Sequence, residues 1–546
     1  MASTIDTIVL GAGQDVGRSC VVMHIGGQYL MFDCGMHLSY RDARRFPDFS
    51  LLPFTGRMTE MITAVFITHF HLDHCAALPY FTEKHGYSGP IYMTHPTRAI
   101  MPIVLEDYHK VMTERQGDKE WYSRTDVTNC MQRVVGVDLN QVVQVAPGVQ
   151  LQAFLAGHVL GAAMFHVKVG AHSVLYTGDY NTTADRHLGS AQLVCLRPDL
   201  LVTESTYAAS LRDSKKSRER ELLSEVQRCV LSGGKVLIPV FAGRAQELLL
   251  LVEDAWARLG LTARVPLFIS GAMTGRANAL YKSCVNWASE ALRQDDSRAA
   301  AFSFQTVQAW QPAHINHQGP CVLFATPGML TGGVSLEVFK AWAPDPRNLV
   351  LLPGYQAAGT VGGKLMSGSV SEVRVGSSLV SVKCKVRYSA FSAHADVKGI
   401  LQLVAATSPG AVMLVHGDRR GMEFLAPTIT RLFGVSCTYP RTGDWSSVRI
   451  PAPPIPVTLQ LDQRWLPRDD PDRGGGTGGN AAAGVAEGDD WAPELPPPCN
   501  ALPLQGVLAA QHQGGMALQP RLLHPVGDAG WLRELGSGRC FQVTWD

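Results

Sequence analysis

The sequence predicts a layered α/β protein built around a metal centre, and three observations predict it. Strand-like apolar runs alternate with polar loops up to about Ser210 and again after Ser381. Between those points the runs alternate instead with amphipathic helical stretches, as in a doubly wound α/β unit. The stretch His69-Phe70-His71-Leu72-Asp73-His74 sets three imidazoles and a carboxylate directly after a strand-like run.

In chain order, Ile8-Val9-Leu10, Cys20-Val21-Val22-Met23 and Tyr29-Leu30-Met31-Phe32 read as strands. Thr63 to Thr68 reads as a buried strand, and Ala76-Ala77-Leu78-Pro79-Tyr80 opens a helix. The His/Asp cluster therefore lies on a strand-to-helix loop, where functional residues gather. Val174-Leu175-Tyr176 is a further strand. The charged stretch Arg212 to Arg220 leads into a helix ending near Gly233, and Ala245 to Leu259 has the three-and-four spacing of an amphipathic helix. Val236 to Val240, Pro266 to Ile269, Cys321 to Phe324 and Leu349 to Leu352 read as buried parallel strands. Met413-Leu414-Val415 is a strand in the resumed alternation of strands and loops. Residues 451–500 are Pro/Gly-rich and read as a disordered linker, followed at 501–546 by a short tail with one or two strands.

The 546 residues suffice for two or three domains. A net charge of +1 excludes a generally basic nucleic-acid coat, so any polyanion site must be a local patch or a metal centre. Twelve scattered Cys without a Cys-x-x-Cys fit reduced thiols. The sequence offers no signal peptide and no membrane span, so a soluble intracellular protein is expected.

His69 and His71 are two apart and point to one side of an extended segment, while Asp73 and His74 can face a second metal. Further ligand-type residues follow strand-like runs: Asp33, His158, Asp179, Glu204 and His416. Any one alone is more simply a turn or capping residue. Together they supply the seven or eight or so ligands that two metals need.

Asp33, His69-x-His71-x-Asp73-His74, His158 and Asp179 resemble the four successive motifs of the metallo-β-lactamase fold. Glu204, His394 and His416 resemble the three extra motifs of its β-CASP branch, the nucleic-acid-processing nucleases. Gly11 to Cys20, Gly157 to Met164 and Phe391-Ser392-Ala393-His394-Ala395-Asp396 are similar to the eukaryotic RNA 3′-end endonucleases. Arg45 to Ser50, Asp213-Ser214-Lys215 and Ala325 to Leu330 resemble the Integrator-type members of that group.

The resemblance implies an α/β metallo-β-lactamase αββα sandwich, residues 1–208 and 386–450, with a β-CASP domain inserted at 209–385. It implies a nuclear endoribonuclease with two Zn²⁺, acting in 3′-end processing of nuclear transcripts such as snRNA. His69, His71 and His158 would bind one zinc; Asp73, His74 and His416 the other; Asp179 would bridge them. Asp33 would orient ligands from behind. His394 would face the scissile phosphate with Glu204 holding its ring, so His394, Glu204 and Asp73 are the candidate catalytic residues. Expected partners are the RNA, a related catalytically dead β-CASP subunit and other Integrator-type subunits, with no membrane. The substrate is expected in a cleft between the two domains.

The rivals are a small-molecule hydrolase, a non-catalytic scaffold and a DNA nuclease. The large insert argues against the first, the full ligand set against the second, and His416 against the third. Gly11 to Gly17 reads as a tight turn, because the third glycine is misplaced for a dinucleotide loop. Arg212, Lys215, Lys216, Arg218 and Arg220 either contact RNA phosphates or form a solvated helix face. Arg244 either meets a phosphate at a helix N-terminus or forms an ion pair. The family has one more residue between Ala242 and Gly243, and only Leu522 to Trp545 resembles the start of its C-terminal dimerisation region.

Overall fold

The computed structural model describes residues 3–116, 121–240, 243–270, 279–294, 302, 304, 306–354, 356, 359–367, 370–389 and 391–450. Beyond these it describes the strand backbones at 458–459, 501–505, 507–510, 520–523, 529–534 and 541–544.

Residues up to 450 form one compact unit. Two seven-stranded sheets face each other. The first runs, in spatial order, Trp445–Ile450, Ser3–Gly11, Cys20–Ile25, Gln28–Phe32, Ile62–Phe66, Ile91–Thr94 and Val134–Val137. The second runs Ser436–Thr438, Ala411–Val415, Leu200–Glu204, His172–Tyr176, Ala163–Val169, Val149–Leu155 and Val142–Ala146. Their facing sides bury alternate residues such as Val21, Met23, Phe32, Phe66, Val167, Tyr176, Val202 and Met413. The rings of Phe66 and Tyr176 stack on Phe32 from either sheet, at 5.1 and 4.9 Å between centroids. The period-2 alternation places the remaining apolar residues on the outer faces. There, helices Leu78–Lys84, His95–Gln116 and Arg124–Gln132 cover the first sheet, and Val397–Thr407 and Arg419–Phe433 the second. This is the expected αββα sandwich, with the first and last strands of the unit paired side by side.

The insert has its own six-stranded, wholly parallel sheet: Val307–Ala309, Leu267–Ile269, Val322–Ala325, Val236–Pro239, Leu349–Leu352 and Lys385–Tyr388. Val236 and Ile238 pack toward helices Lys215–Leu231 and Ala245–Leu259, while Leu237 packs toward Gly333–Trp342. Burial on both faces explains why these strands read as unbroken apolar runs.

The strand that leaves for the insert and the one that follows it pair in parallel, with Glu204 opposite Val415. Both crossings therefore lie at one sheet edge.

The remaining strands form a separate unit. Ala501–Gln505 pairs with Ala529–Glu534, which pairs with Phe541–Thr544, which pairs with Thr458–Leu459. Val507–Ala510 pairs with Pro520–Leu523. The tail thus carries more strands than the one or two expected. The linker expected over 451–500 lies outside the described residues, apart from 458–459.

Candidate metal centre

Apart from His394, the site residues sit at or just past a strand end. Asp33 follows Gln28–Phe32, His69 to His74 follow Ile62–Phe66, and His158 follows Val149–Leu155. Asp179 follows His172–Tyr176, Glu204 ends Leu200–Glu204, and His416 follows Ala411–Val415. All six strands open on the same edge of the sandwich, the usual place for sites in layered α/β folds. The loops are held by backbone contacts. Ser19 N–H donates to Asp73 O at 2.8 Å, Cys34 N–H to His74 O at 2.8 Å, and His416 N–H to Ala12 O at 2.8 Å. At Gly35 a Cβ would lie 1.6 Å from Asp73 O, so no other residue allows this approach. Asp33 and His416 both have left-handed backbone, with φ of 58° and 51°, strain of a kind that collects at functional sites.

His69, His71, His158 and Asp179 form one group whose donor atoms lie within 4.8 Å of one another; Asp73, His74 and His416 form a second. In the first, His71 Nδ1 is 3.1 Å from both His69 Nε2 and His158 Nε2. Asp179 Oδ2 is 3.6 Å from each of those Nε2 atoms and 3.3 Å from His74 Nε2 in the second group. His416 Nε2 is 3.3 Å from Asp73 Oδ2, and His416 Nδ1 is 3.4 Å from Asp179 Oδ1. Asp179 thus stands between the two groups. Tetrahedral Zn–N and Zn–O bonds of about 2.0–2.1 Å put adjacent donors about 3.4 Å apart, and the observed spacings bracket that value.

The outer hydrogen bonds fix the tautomers. His158 Nδ1–H donates to Ala393 O at 2.7 Å and His74 Nδ1–H to Asp33 Oδ2 at 2.8 Å. The Thr68 hydroxyl donates to Asp33 at 3.0 Å and accepts from His69 Nδ1 at 3.0 Å. The Thr206 hydroxyl donates to Glu204 Oε2 at 2.5 Å and accepts from His416 Nδ1 at 3.0 Å. So four rings are held at Nδ1 and turn Nε2 inward. Asp179 Oδ1, itself buried, has no hydrogen-bond partner among the described residues. Converging ring nitrogens and an orphaned carboxylate oxygen are what a cation site requires.

The charges agree. Burial, followed by the neighbouring imidazoles, pushes His69 well below the usual histidine value; burial and then His394 do the same to His158. Burial also works against charge at His74 and His416, but Asp179 leads the carboxylates that carry both above it. Asp179 is held well below the usual carboxylate range by His416 and His74, against the opposing effect of burial.

His394 Nδ1 lies 2.7 Å from Glu204 Oε2, and Glu204 Oε1 accepts from Tyr180 N at 2.8 Å. Burial lowers the His394 pKa, but Glu204 and Asp179 more than offset this and raise it. A cleft of about 960 Å³ exposes His71, Asp73, His158, Asp179, His394 and His416 on its floor and is lined by residues of both sandwich and insert. This is the expected cleft.

Sequence reading missed Thr68 and Thr206, whose hydroxyls connect the carboxylates to the rings. Their signal was adjacency, since each lies within two residues of a motif residue. It also misread two cations. Arg212 is turned inward, donating to the carbonyls of Ser392 and His394. Lys215 Nζ lies 3.0 Å from buried Glu247 Oε1 and donates to Ala184 O at 2.9 Å. Neither is placed to meet RNA phosphates or forms a solvated face; Lys216 and Arg220 are exposed. Arg244 takes the ion-pair alternative, with Asp185, and donates to Phe391 O at 2.7 Å. Phe241 and Ala242 lie outside the described residues. A further group, Asp185, His187 and Glu247, also has ligand-like spacing. Its carboxylates already hold Arg244 and Lys215, which leaves less for a metal.

Comparison with known proteins places this geometry. The model of the metallo-beta-lactamase superfamily matches residues 13–239, the Beta-Casp domain 245–365, and the Zn-dependent metallo-hydrolase RNA specificity domain 379–440. Integrator complex subunit 11 of Gallus gallus is 50% identical over 453 residues, 83% of this chain and 75% of that one. Cleavage and polyadenylation specificity factor subunit 3-II of Arabidopsis thaliana is 50% identical over 81% of this chain and 72% of its own. Cleavage and polyadenylation specificity factor 73 of Drosophila melanogaster is 36% identical over 77% and 61%. Among the described residues no helix is long and apolar enough to cross a membrane. The chain therefore belongs to the metallo-β-lactamase superfamily, in its β-CASP branch of metal-dependent RNA endonucleases of 3′-end processing.

Proposed function

We propose that the chain cuts RNA with two zinc ions, one held by His69, His71 and His158, the other by Asp73, His74 and His416, with Asp179 shared. The observation that carries this is the pair of donor groups meeting at Asp179, whose Oδ2 is 3.3–3.6 Å from three Nε2 atoms. Bound there, the ions would supply Lewis acidity toward a water and a phosphodiester. Asp33 fixes the His74 ring and, through Thr68, the His69 ring. His394 faces the cleft with its ring held by Glu204, which favours the protonated form that could give its proton to the leaving 3′ oxygen. Asp73, half-buried on the cleft floor, holds His416 from the substrate side.

The catalytic sandwich is assigned to residues 1–208 and 389–450, and the β-CASP domain to 209–388, three residues beyond the expected boundary because Lys385–Tyr388 pairs within the insert's sheet. By likeness to its relatives, the chain works in the nucleus, beside a related inactive β-CASP subunit and other Integrator-type subunits. The test is metal analysis coupled to cleavage of RNA and DNA of one sequence. Two zincs and preferential RNA cleavage are expected; DNA cleavage alone would favour the rival nuclease reading.

A further inference from the structure

Three cations stand on one wall of the cleft. Lys340 lies on helix Gly333–Trp342, Lys364 on helix Val361–Met366, and Arg374 on strand Glu372–Val375. They come from three separate elements of the insert, yet all line the cleft whose floor carries His71, Asp73 and His394. All three are exposed. None pairs with a carboxylate among the described residues, in contrast to Arg244, deeper in the same cleft, which is tied to Asp185. Glu337 shares the wall, which leaves it net positive.

A chain with 48 Lys and Arg against 47 Asp and Glu has no general excess of cations to place there. Three cations lining one cleft with no carboxylate partner among the described residues repel one another, and a polyanion relieves this. Long, exposed side chains spread over three elements suit successive phosphates of a flexible strand better than one small anion, which is usually met by a buried nest of donors.

Resting on the RNA-nuclease reading, we propose that Lys340, Lys364 and Arg374 form a phosphate track that holds single-stranded RNA beyond the scissile bond. They are positioning residues: they touch the substrate backbone away from the reacting atoms and set affinity, not chemistry. Each phosphate contact on a single strand adds about 0.7 to the slope of log affinity against log salt. Three contacts add about 2.

The test is equilibrium binding of a fluorescent single-stranded RNA of about 20 nucleotides to the full chain in a His394→Ala background, which slows cleavage. The triple variant Lys340→Gln, Lys364→Gln, Arg374→Gln should lower the slope by about 2. Its loss of affinity between about 50 and 200 mM salt should be about 20-fold smaller than that of its parent. The control Lys216→Gln, Arg220→Gln, two exposed cations that are not among the cleft-lining residues, should leave the slope unchanged, and Lys340→Arg, Lys364→Arg should preserve it. If the triple variant fails to fold, the single variants are read instead, each lowering the slope by about 0.7. A parent and triple variant with equal slopes would overturn the track and leave the nuclease reading standing. A parent that binds no RNA at any salt would overturn both.

Discussion

Replacing Glu204 with Gln should shift the pH profile of RNA cleavage to lower pH by about one to two units. Glu204 Oε2 lies 2.7 Å from His394 Nδ1, and the two side chains are only 1% and 14% exposed. Burial lowers the imidazole pKa, and Glu204 is the foremost of the groups that raise it above its usual value. A hydrogen bond to a charged group contributes roughly 1.5–3 kcal/mol, and about 1.4 kcal/mol corresponds to one pKa unit. Exchanging the carboxylate for a neutral amide should therefore lower His394 by about one to two units. A proton donor works only while it is protonated, so the limb on which the rate falls with rising pH should move acidward by that amount. On that limb the loss should be about 10–100-fold, shrinking toward lower pH. Single-turnover cleavage across the pH range measures the limb. A substrate with sulfur at the scissile 3′ position needs little protonation and should recover most of the rate. Glu204 also accepts from Tyr180 N and from the Thr206 hydroxyl, which leans on His416, so zinc content is measured alongside. An unshifted limb with full zinc would refute the donor role of His394.

Three further outcomes are expected. Asp179→Ala should lose at least one zinc and nearly all cleavage, since among the described residues no other carboxylate lies between the two donor groups; a variant with both metals and full turnover would contradict the shared role. His394→Ala should keep both zincs and lose about 10²–10⁴ in rate; zinc lost with activity would make His394 a ligand. Zinc binding to the metal-free chain should release protons, because carboxylates favour the protonated forms of His74 and His416 and a bound metal requires the neutral rings. Affinity should accordingly fall as pH falls, and calorimetry in two buffers of different ionisation enthalpy would expose zero release.

The sheet edge that carries the site was legible because each ligand-type residue follows an apolar run. Strand ends are local features, and Asp33, His158, Asp179 and His416 all stand one to three residues beyond one. The insert strands were legible for a related reason: Leu237 and Ile238 face opposite helical layers, so burial on both faces leaves no polar alternation. The outer hydrogen bonds were not legible. His158 reaches Ala393 across 235 positions and Thr206 reaches His416 across 210, and such meetings depend on how two sheets and an insert pack. The same packing turned Arg212 from an apparently free surface cation into a half-buried donor to two carbonyls. The strands of the tail were underestimated because its apolar runs are short and broken by Gly and Pro.

The central claim is that two metal ions sit on either side of Asp179. Anomalous diffraction at the zinc edge from crystals of the full chain tests it most directly. Two peaks about 3.5–4 Å apart are expected, one beside His69, His71 and His158 and the other beside Asp73, His74 and His416. A single peak, or density at Asp185, His187 and Glu247 in place of this pair, would contradict the account.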